Sequence, residues 1–214
     1  MPERCHHPET LTRTIAVGTM PIMAIHERKT RRWSRLEYER LIDLGVFQPG
    51  DPIELIGGEL LVAEPQGAPH YTSIRKTARM LERAFGPSWE VRTQGPMGLD
   101  EESEPEPDVA VVPGEPEDYR SAHPSRADLV VEVSESSLAF DRDHKGSVYA
   151  RAGILDYWII NLVDRVLEVY REPAPDVAAR FGARYARREV LDPSRQVSPL
   201  AAPHARIQVR DLFA

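Results

Sequence analysis

Two carboxylates set in apolar strands, followed by a lysine on a helix, are the residues best placed to do chemistry in this sequence. Asp108 opens one apolar run, and Glu132 interrupts the run Leu129 to Val133. Such a run is typical of a strand covered on both faces, where an ionised glutamate is costly unless a cation or hydrogen-bond donors compensate. Two carboxylates can hold a hard divalent cation, and the ammonium of Lys145 could stabilise the anionic transition state of phosphodiester cleavage.

Strand alternation allows the two carboxylates to share one face of a sheet. Side chains alternate along a strand, so Asp108 lies on the same face as Ala110, and Glu132 on the same face as Val130. If the two strands pair, both carboxylates can point the same way. Lys145 is expected to turn toward the sheet, because its helical face is largely apolar and includes Val148, Tyr149 and Ala152.

Length and composition favour one soluble domain. The chain has 214 residues, of which 41% are hydrophobic and 29% charged, as in an ordinary globular protein with a sizeable core. The formal net charge of −7 argues against a protein that coats nucleic acid by bulk electrostatics. It is at best neutral toward an enzyme that meets DNA through a metal and a local basic patch. Cys5 is the only cysteine, so no internal disulfide can form and a cytoplasmic location is expected.

The N-terminal part is predicted to be a disordered extension over residues 1–32, followed by a single domain over residues 33–214. Residues 1–14 are polar and irregular. The apolar run Ile15 to Ile25 is a candidate signal segment, but it is too short to span a bilayer and is interrupted by Gly18 and Pro21. It is therefore interpreted as part of the extension.

Helices and strands alternate around the candidate residues. Ser34 and Glu37 have the spacing of a capping box, which predicts a helix ending at Gly45. Gly57 and Gly58 predict a tight hairpin within residues 53–64. Helical periodicity predicts an amphipathic helix over 70–85 and a second helix over 141–152. Further strands are predicted at 89–93, 108–112, 129–134, 156–161, 166–170 and within 180–190.

Five ordered blocks of the sequence resemble the Uma-two family of restriction-endonuclease-like proteins, within the PD-(D/E)XK phosphodiesterase superfamily. The blocks are residues 54–58, 107–109, 132–138, 141–145 and 149–160, and the resemblance runs from about Trp33 to Tyr170. It implies an α/β fold in which a restriction-endonuclease-like mixed β-sheet is flanked by helices.

The resemblance also implies roles for particular residues. Asp108 and Glu132 would be ligands of Mg²⁺ or Mn²⁺. The catalytic lysine would be Lys145 on the following helix, because Ser134 stands where the superfamily pattern has lysine. Glu54 resembles an additional hairpin glutamate of the family, a further metal-ligand candidate. His70 matches a histidine common at that helix start, and its role would be accessory.

The predicted function is divalent-metal-dependent hydrolysis of phosphodiester bonds in DNA, with Lys145 orienting the water or stabilising charge. Phosphate contacts would come from basic residues led by Arg75, Arg79 and Arg142, together with Lys76, Arg83 and Arg151. The competing class is a catalytically inactive module that keeps the nuclease fold and binds nucleic acid or a protein partner. A third reading is a hydrolase of another phosphoester.

Each candidate residue also has an alternative without chemistry. Glu132 could form a structural ion pair with an arginine, and Asp108 could be satisfied by backbone donors at the strand start. Lys145 could pair with Asp141, four residues earlier. Glu54 and His70 could be ordinary surface residues, and the basic helix face could simply be solvated. Finally, the family resemblance and the apolar residues around Trp158 predict a homodimer.

Overall fold

The computed structural model describes residues 30–48, 50–63 and 65–214, and one compact unit spans Arg32–Ala214. The extension predicted for residues 1–32, including the apolar run Ile15 to Ile25, therefore lies almost entirely outside the described residues. Within the described ranges, no helix is both long and apolar enough to cross a membrane.

The predicted first helix and hairpin are confirmed. Helix α1 spans Arg35–Asp43, and the Ser34 and Glu37 side chains form the capping box at its start. Strands β1 (Ile53–Ile56) and β2 (Glu59–Val62) pair antiparallel through a turn in which Gly57 and Gly58 have φ of +55° and +80°. Only glycine adopts such angles freely, and a Cβ on Gly57 would lie 2.1 Å from the Phe181 ring.

Helix α2 follows the hairpin and spans Ala68–Phe85, two residues longer at its start than predicted. A six-stranded sheet then forms in chain order, and all neighbouring strands are antiparallel except β5 and β6, which are parallel. Its strands are β3 (Trp89–Thr93), β4 (Val109–Pro113), β5 (Leu129–Ser134), β6 (Asp156–Asn161), β7 (Val166–Pro175) and β8 (Ala183–Leu191). Two short strands, β9 (Gln196–Val197) and β10 (Ile207–Gln208), pair separately before a closing 3₁₀ turn at Val209–Leu212.

The parallel pair β5 and β6 requires a crossover connection, and this connection is helical. It consists of α3 (Leu138–Phe140), a π-helical turn (Asp141–Lys145) and α4 (Gly146–Arg151). The helix predicted over 141–152 is confirmed as far as Arg151, but it begins earlier, at Leu138, and contains a π-helical turn in which the Gly146 amide donates to the Asp141 carbonyl five residues back. Sequence periodicity does not reveal a single inserted residue that tertiary contacts hold in place.

Both faces of the central strands are covered. On one face Ile74, Ala78 and Leu81 of α2 pack against β4 and β5. On the other face Tyr149 of α4 and Tyr157 of β6 belong to a second core cluster. The sheet is therefore a buried layer between helices, and a polar side chain on its central strands must find its partners inside the protein.

The structural argument for a dimer is wrong. Trp158 is completely buried within the chain, where it packs in the core beneath α2 and donates from Nε1 to Asp156 Oδ1 at 2.9 Å. Every residue of β6 is buried, so this strand has no exposed apolar surface for a second subunit to cover. A homodimer remains a prediction from family resemblance alone.

Candidate active site

Asp108 and Glu132 lie opposite each other at one end of β4 and β5. The antiparallel register pairs Val109 with Val131 and Ala110 with Val130, so its continuation sets Asp108 against Glu132 on one face. The Asp108 amide donates to Glu132 Oε2 at 3.3 Å. The Asp108 and Glu132 side chains are 9% and 4% exposed, so both carboxylates are largely withdrawn from solvent.

Glu54 reaches the same place from the hairpin. The extended segment at Glu104 pairs with Leu55 of β1, which fixes the hairpin beside the start of β4. Glu54 Oε2 accepts from the Glu106 amide at 3.1 Å, and Glu54 Oε1 lies 3.3 Å from Lys145 Nζ. Glu54 is 8% exposed, so it is not the surface hairpin residue of the alternative reading.

Lys145 projects from the end of the π-helical turn into this group of carboxylates. Its Nζ lies 3.1 Å from Glu132 Oε1 as well as 3.3 Å from Glu54 Oε1, and the side chain is 9% exposed. The alternative partner, Asp141, is instead bound by Ser134 Oγ and Ser137 Oγ at 2.7 and 2.6 Å. The π-helical turn thus directs Lys145 toward the strand carboxylates rather than along its own helix.

Tyr149, predicted only as part of the apolar face of the helix, is also a site residue. Its hydroxyl donates to Glu132 Oε1 at 2.6 Å, and its side chain is fully buried. Burial raises the pKa of Tyr149 well above its usual value, and the Glu132 carboxylate adds to this effect, so the phenol keeps its proton. Its position four residues after Lys145 is the signal that could have identified it.

His70 contacts Asp108 from the start of α2. His70 Nε2 lies 3.0 Å from Asp108 Oδ2, which also accepts from the Val133 amide at 2.8 Å. The Asp108 carboxylate therefore has both a backbone donor and a histidine partner. Part of the alternative reading of Asp108 is correct, since a backbone donor does satisfy one oxygen.

The charges of the group do not balance. Four acidic side chains surround Lys145, namely Glu54, Asp108, Glu132 and Asp141. Burial raises the pKa of Glu132 to about 8, and Asp108 adds to that shift while Lys145 opposes it. Burial would lower the pKa of Lys145, but the neighbouring carboxylates outweigh it and hold the pKa well above its usual range. Lys145 is thus a fixed cation in a site with excess negative charge.

The site opens into a cleft of about 860 Å³, lined by Glu54, His70, Asp108, Glu132 and Lys145 among other residues. Arg75 and Arg79 do not line it. They lie on the exposed side of α2, which packs on the opposite face of the sheet. Arg142 is held by the buried carboxylate of Glu168 through Nε and Nη2. The structure therefore brings together five predicted site residues and leaves these three arginines outside the cleft.

The donors of the cleft suit a hard divalent cation. Carboxylate oxygens are the ligands that Mg²⁺ and Mn²⁺ prefer, and Mg²⁺ often uses only one or two carboxylates with waters and substrate oxygens. Among residues 30–48, 50–63 and 65–214, no three His, Cys, Asp or Glu side chains are grouped as ligands of one ion. The residues present thus fit a two-carboxylate site at Asp108 and Glu132 rather than a complete protein cage.

A mixed sheet between helices, with this cleft at the end of its central strands, is a nuclease-like fold. The crystal structure of a putative nuclease belonging to DUF820 from Anabaena variabilis ATCC 29413 has the same fold, with a TM-score of 0.59 and 17% sequence identity over 81% of this chain and 96% of that chain. The chain belongs to the Uma2 family, described as "Putative restriction endonuclease", whose model matches residues 36–210. No curated protein matches the chain. Family membership supports a nuclease function and confirms the resemblance found in the sequence.

Proposed function

We propose that this protein is a divalent-metal-dependent endonuclease that hydrolyses phosphodiester bonds in DNA. The observation that carries the proposal is the contact of a buried lysine with two carboxylates, Glu132 and Glu54, beside a third at Asp108. A purely structural ion pair would match one charge with one opposite charge. Here the acidic surplus faces an open cleft, where a cation and a phosphate could enter.

The proposed metal is Mg²⁺ or Mn²⁺, held by Asp108 and Glu132, with Glu54 as a further candidate ligand. When bound, such an ion supplies Lewis-acid stabilisation of the negative charge on phosphoryl oxygens. The Asp108 carboxylate is kept in orientation by the Val133 amide and by His70. Lys145 would donate a hydrogen bond to the attacking water or to a phosphoryl oxygen, and Tyr149 would hold Glu132 in place.

A cleavage assay tests the proposal directly. Wild-type protein is incubated with duplex DNA, single-stranded DNA and RNA in Mg²⁺, in Mn²⁺ and in EDTA. We expect cleavage of DNA at internal positions with either ion and none in EDTA, because without a divalent cation the carboxylates would repel the negatively charged phosphate. Cleavage that persists in EDTA would contradict the proposed metal dependence.

Calorimetric titration with Mn²⁺ separates the enzyme from an inactive module. A module that only binds nucleic acid or protein has no use for paired metal ligands, so it would bind no ion at Asp108 and Glu132. We expect Mn²⁺ binding to wild type and none to Asp108→Asn. Nucleic-acid binding without any Mn²⁺ binding or cleavage would favour the inactive module.

A second prediction concerns the basic stripe, defined as Arg75, Arg79 and Arg83 on the exposed side of α2. Among the described residues, none of the three forms an ion pair with a carboxylate. Residues four apart on a helix lie about 6 Å apart along its axis, and three like charges at this spacing destabilise an isolated helix. A polyanion held along the helix would offset that repulsion, and α2 begins at the cleft with His70. We therefore expect the stripe to contact backbone phosphates of the bound DNA outside the cleft.

The salt dependence of DNA binding measures these contacts. Removing one phosphate contact lowers the slope of log K against log salt by about 0.9 for duplex DNA. We expect Arg79→Gln with Arg83→Gln to lower the slope by about 1 to 2. The control is Arg120→Gln with Arg126→Gln, two exposed arginines beyond the far end of β4 from Asp108. Equal slopes for wild type and both variants would show that the stripe is only a solvated helix face.

A further inference from the structure

We infer that Glu168 is a positioning residue for Lys145, acting through Arg142 of the π-helical turn. The inference rests on the proposed function, because it concerns the lysine of that site. Glu168 belongs to β7 and does not line the cleft, so its role would be to determine where the lysine lies and not to touch a substrate.

Glu168 is a fully buried carboxylate that accepts hydrogen bonds from four residues. Arg142 donates to it through Nε at 3.1 Å and through Nη2, and Arg188 of β8 donates through Nε and Nη2 at 3.2 and 2.9 Å. The Tyr170 hydroxyl and the Asn161 amide donate at 2.7 and 3.1 Å. Burial alone would raise the pKa of Glu168, but these donors outweigh it and lower the pKa to about 2. Glu168 is therefore a permanent anion that holds both arginines.

The contact with Arg142 matters because of where Arg142 stands in the chain. It lies between Asp141 and Lys145 within the π-helical turn. Asp141 is anchored to β5 through Ser134, and Arg142, the next residue, is anchored to β7 through Glu168. The two anchors pull adjacent residues toward different strands of the sheet.

A π-helical turn persists only when its surroundings hold it, because regular α-helix is the more stable hydrogen-bonding pattern. If the turn relaxed to α-helix, the extra residue would no longer be accommodated within the turn. The helix after the turn would then rotate by about 100° relative to the helix before it. Lys145 stands at the end of the turn, so this rotation would carry its ammonium away from Glu132 and Glu54. Releasing Arg142 removes one of the contacts that oppose that relaxation, and leaves those of Asp141 with Ser134, Ser137 and Tyr157.

The matched comparison is between the two arginines that share Glu168. Arg142→Met and Arg188→Met each remove one cation from the same buried carboxylate, and each leaves the other arginine, Tyr170 and Asn161 in place. Only Arg142 belongs to the π-helical turn. A merely structural role for Glu168 predicts similar effects of both changes, whereas the positioning role predicts an effect on Lys145 from Arg142→Met alone. Arg142→Lys, which keeps the charge, should restore part of the wild-type behaviour.

Two measurements need neither metal nor substrate: the NMR signal of the Lys145 side chain, and the rate of amide hydrogen exchange in the π-helical turn. The chain has three lysines, Lys29, Lys76 and Lys145, so lysine-selective isotope labelling gives few side-chain signals and Lys145→Arg assigns the one of interest. We expect Arg142→Met to move the Lys145 signal toward that of free lysine and to speed amide hydrogen exchange across residues 141–146. Arg188→Met should leave both unchanged. A shift of equal size in both variants, or in neither, would overturn the inference.

Turnover gives the third readout. A displacement of about 1 Å in a catalytic group can cost about 100-fold in rate. We therefore expect Arg142→Met to lower kcat by about 100-fold with little change in KM, and Arg188→Met to lower kcat by less than about threefold. If wild type cleaves nothing, the proposed function fails, while the signal of Lys145 and the amide exchange still decide whether Glu168 positions the lysine.

Discussion

Glu132→Gln is expected to abolish cleavage and, in EDTA, to stabilise the fold at alkaline pH. Glutamine keeps an oxygen that can accept from Tyr149 and Lys145 but loses the charge that a metal requires. The pKa of Glu132 is raised by burial from 4.5 to about 8. The folded protein therefore binds this proton more tightly than the unfolded chain does. As a result, the free energy of unfolding falls as pH rises from about 4.5 to about 8.

Unfolding in urea at about pH 5 and about pH 9 measures the effect. One pKa unit corresponds to about 1.4 kcal/mol, and the opposing pull of Lys145 reduces the total, so we expect a gain of about 1 to 3 kcal/mol at the higher pH and almost none at the lower. The exposed Glu117→Gln is the matched control and should change little. If Glu132→Gln is instead destabilised by several kcal/mol at every pH, the carboxylate is a structural partner of Lys145 and the metal assignment fails.

Lys145→Met is expected to lose both activity and stability. Methionine fills a similar volume but leaves the carboxylates of Glu54 and Glu132 buried without their cation, and breaking a buried pair in this way costs about 3 to 5 kcal/mol. Loss of the ammonium should also lower kcat by about 10² to 10⁴-fold, the usual contribution of a positioned acid–base group. Lys76→Met is the control, because Lys76 donates to the backbone carbonyl of Phe213 and its replacement should cost much less stability.

The response to Mn²⁺ distinguishes the roles of the two residues. A divalent ion can replace the missing ammonium as counter-ion, so Mn²⁺ should raise the Tm of Lys145→Met by more than it raises that of wild type. It should not raise the Tm of Glu132→Gln, which has lost a ligand. The double variant Lys145→Met with Glu132→Gln should recover stability without recovering cleavage. If Mn²⁺ does not change the Tm of Lys145→Met, the result would count against a cation site beside this lysine.

The parts of the structure that could be predicted from sequence are those fixed by neighbours along the chain. The capping box at Ser34 depends on a residue three positions away, and the hairpin at Gly57 depends on two adjacent glycines that tolerate positive φ. The shared face of Asp108 and Glu132 follows from strand alternation once their strands pair. These features are decided by local geometry, which a single sequence records.

The remaining features depend on residues distant in the chain. The π-helical turn is held by Ser134 and Glu168, neither of which belongs to the helix it shapes. Arg142 resembled a free phosphate ligand because its partner lies 26 residues away. Trp158 resembled an exposed apolar residue because the α2 side of the sheet that covers it is assembled from distant segments. Single-sequence patterns carry no information about such partners.

The parallel pairing of β5 with β6 links the folding of the protein to the assembly of its cleft. Antiparallel neighbours need no crossover, but β5 and β6 cannot pair until the chain from Ser134 to Asp156 has doubled back as one. That same segment carries Lys145 and Tyr149 to Glu132. The folding step that pairs β5 with β6 therefore also delivers the buried cation to its carboxylates, and before that pairing Glu132 would be exposed to water with the pKa of an ordinary glutamate.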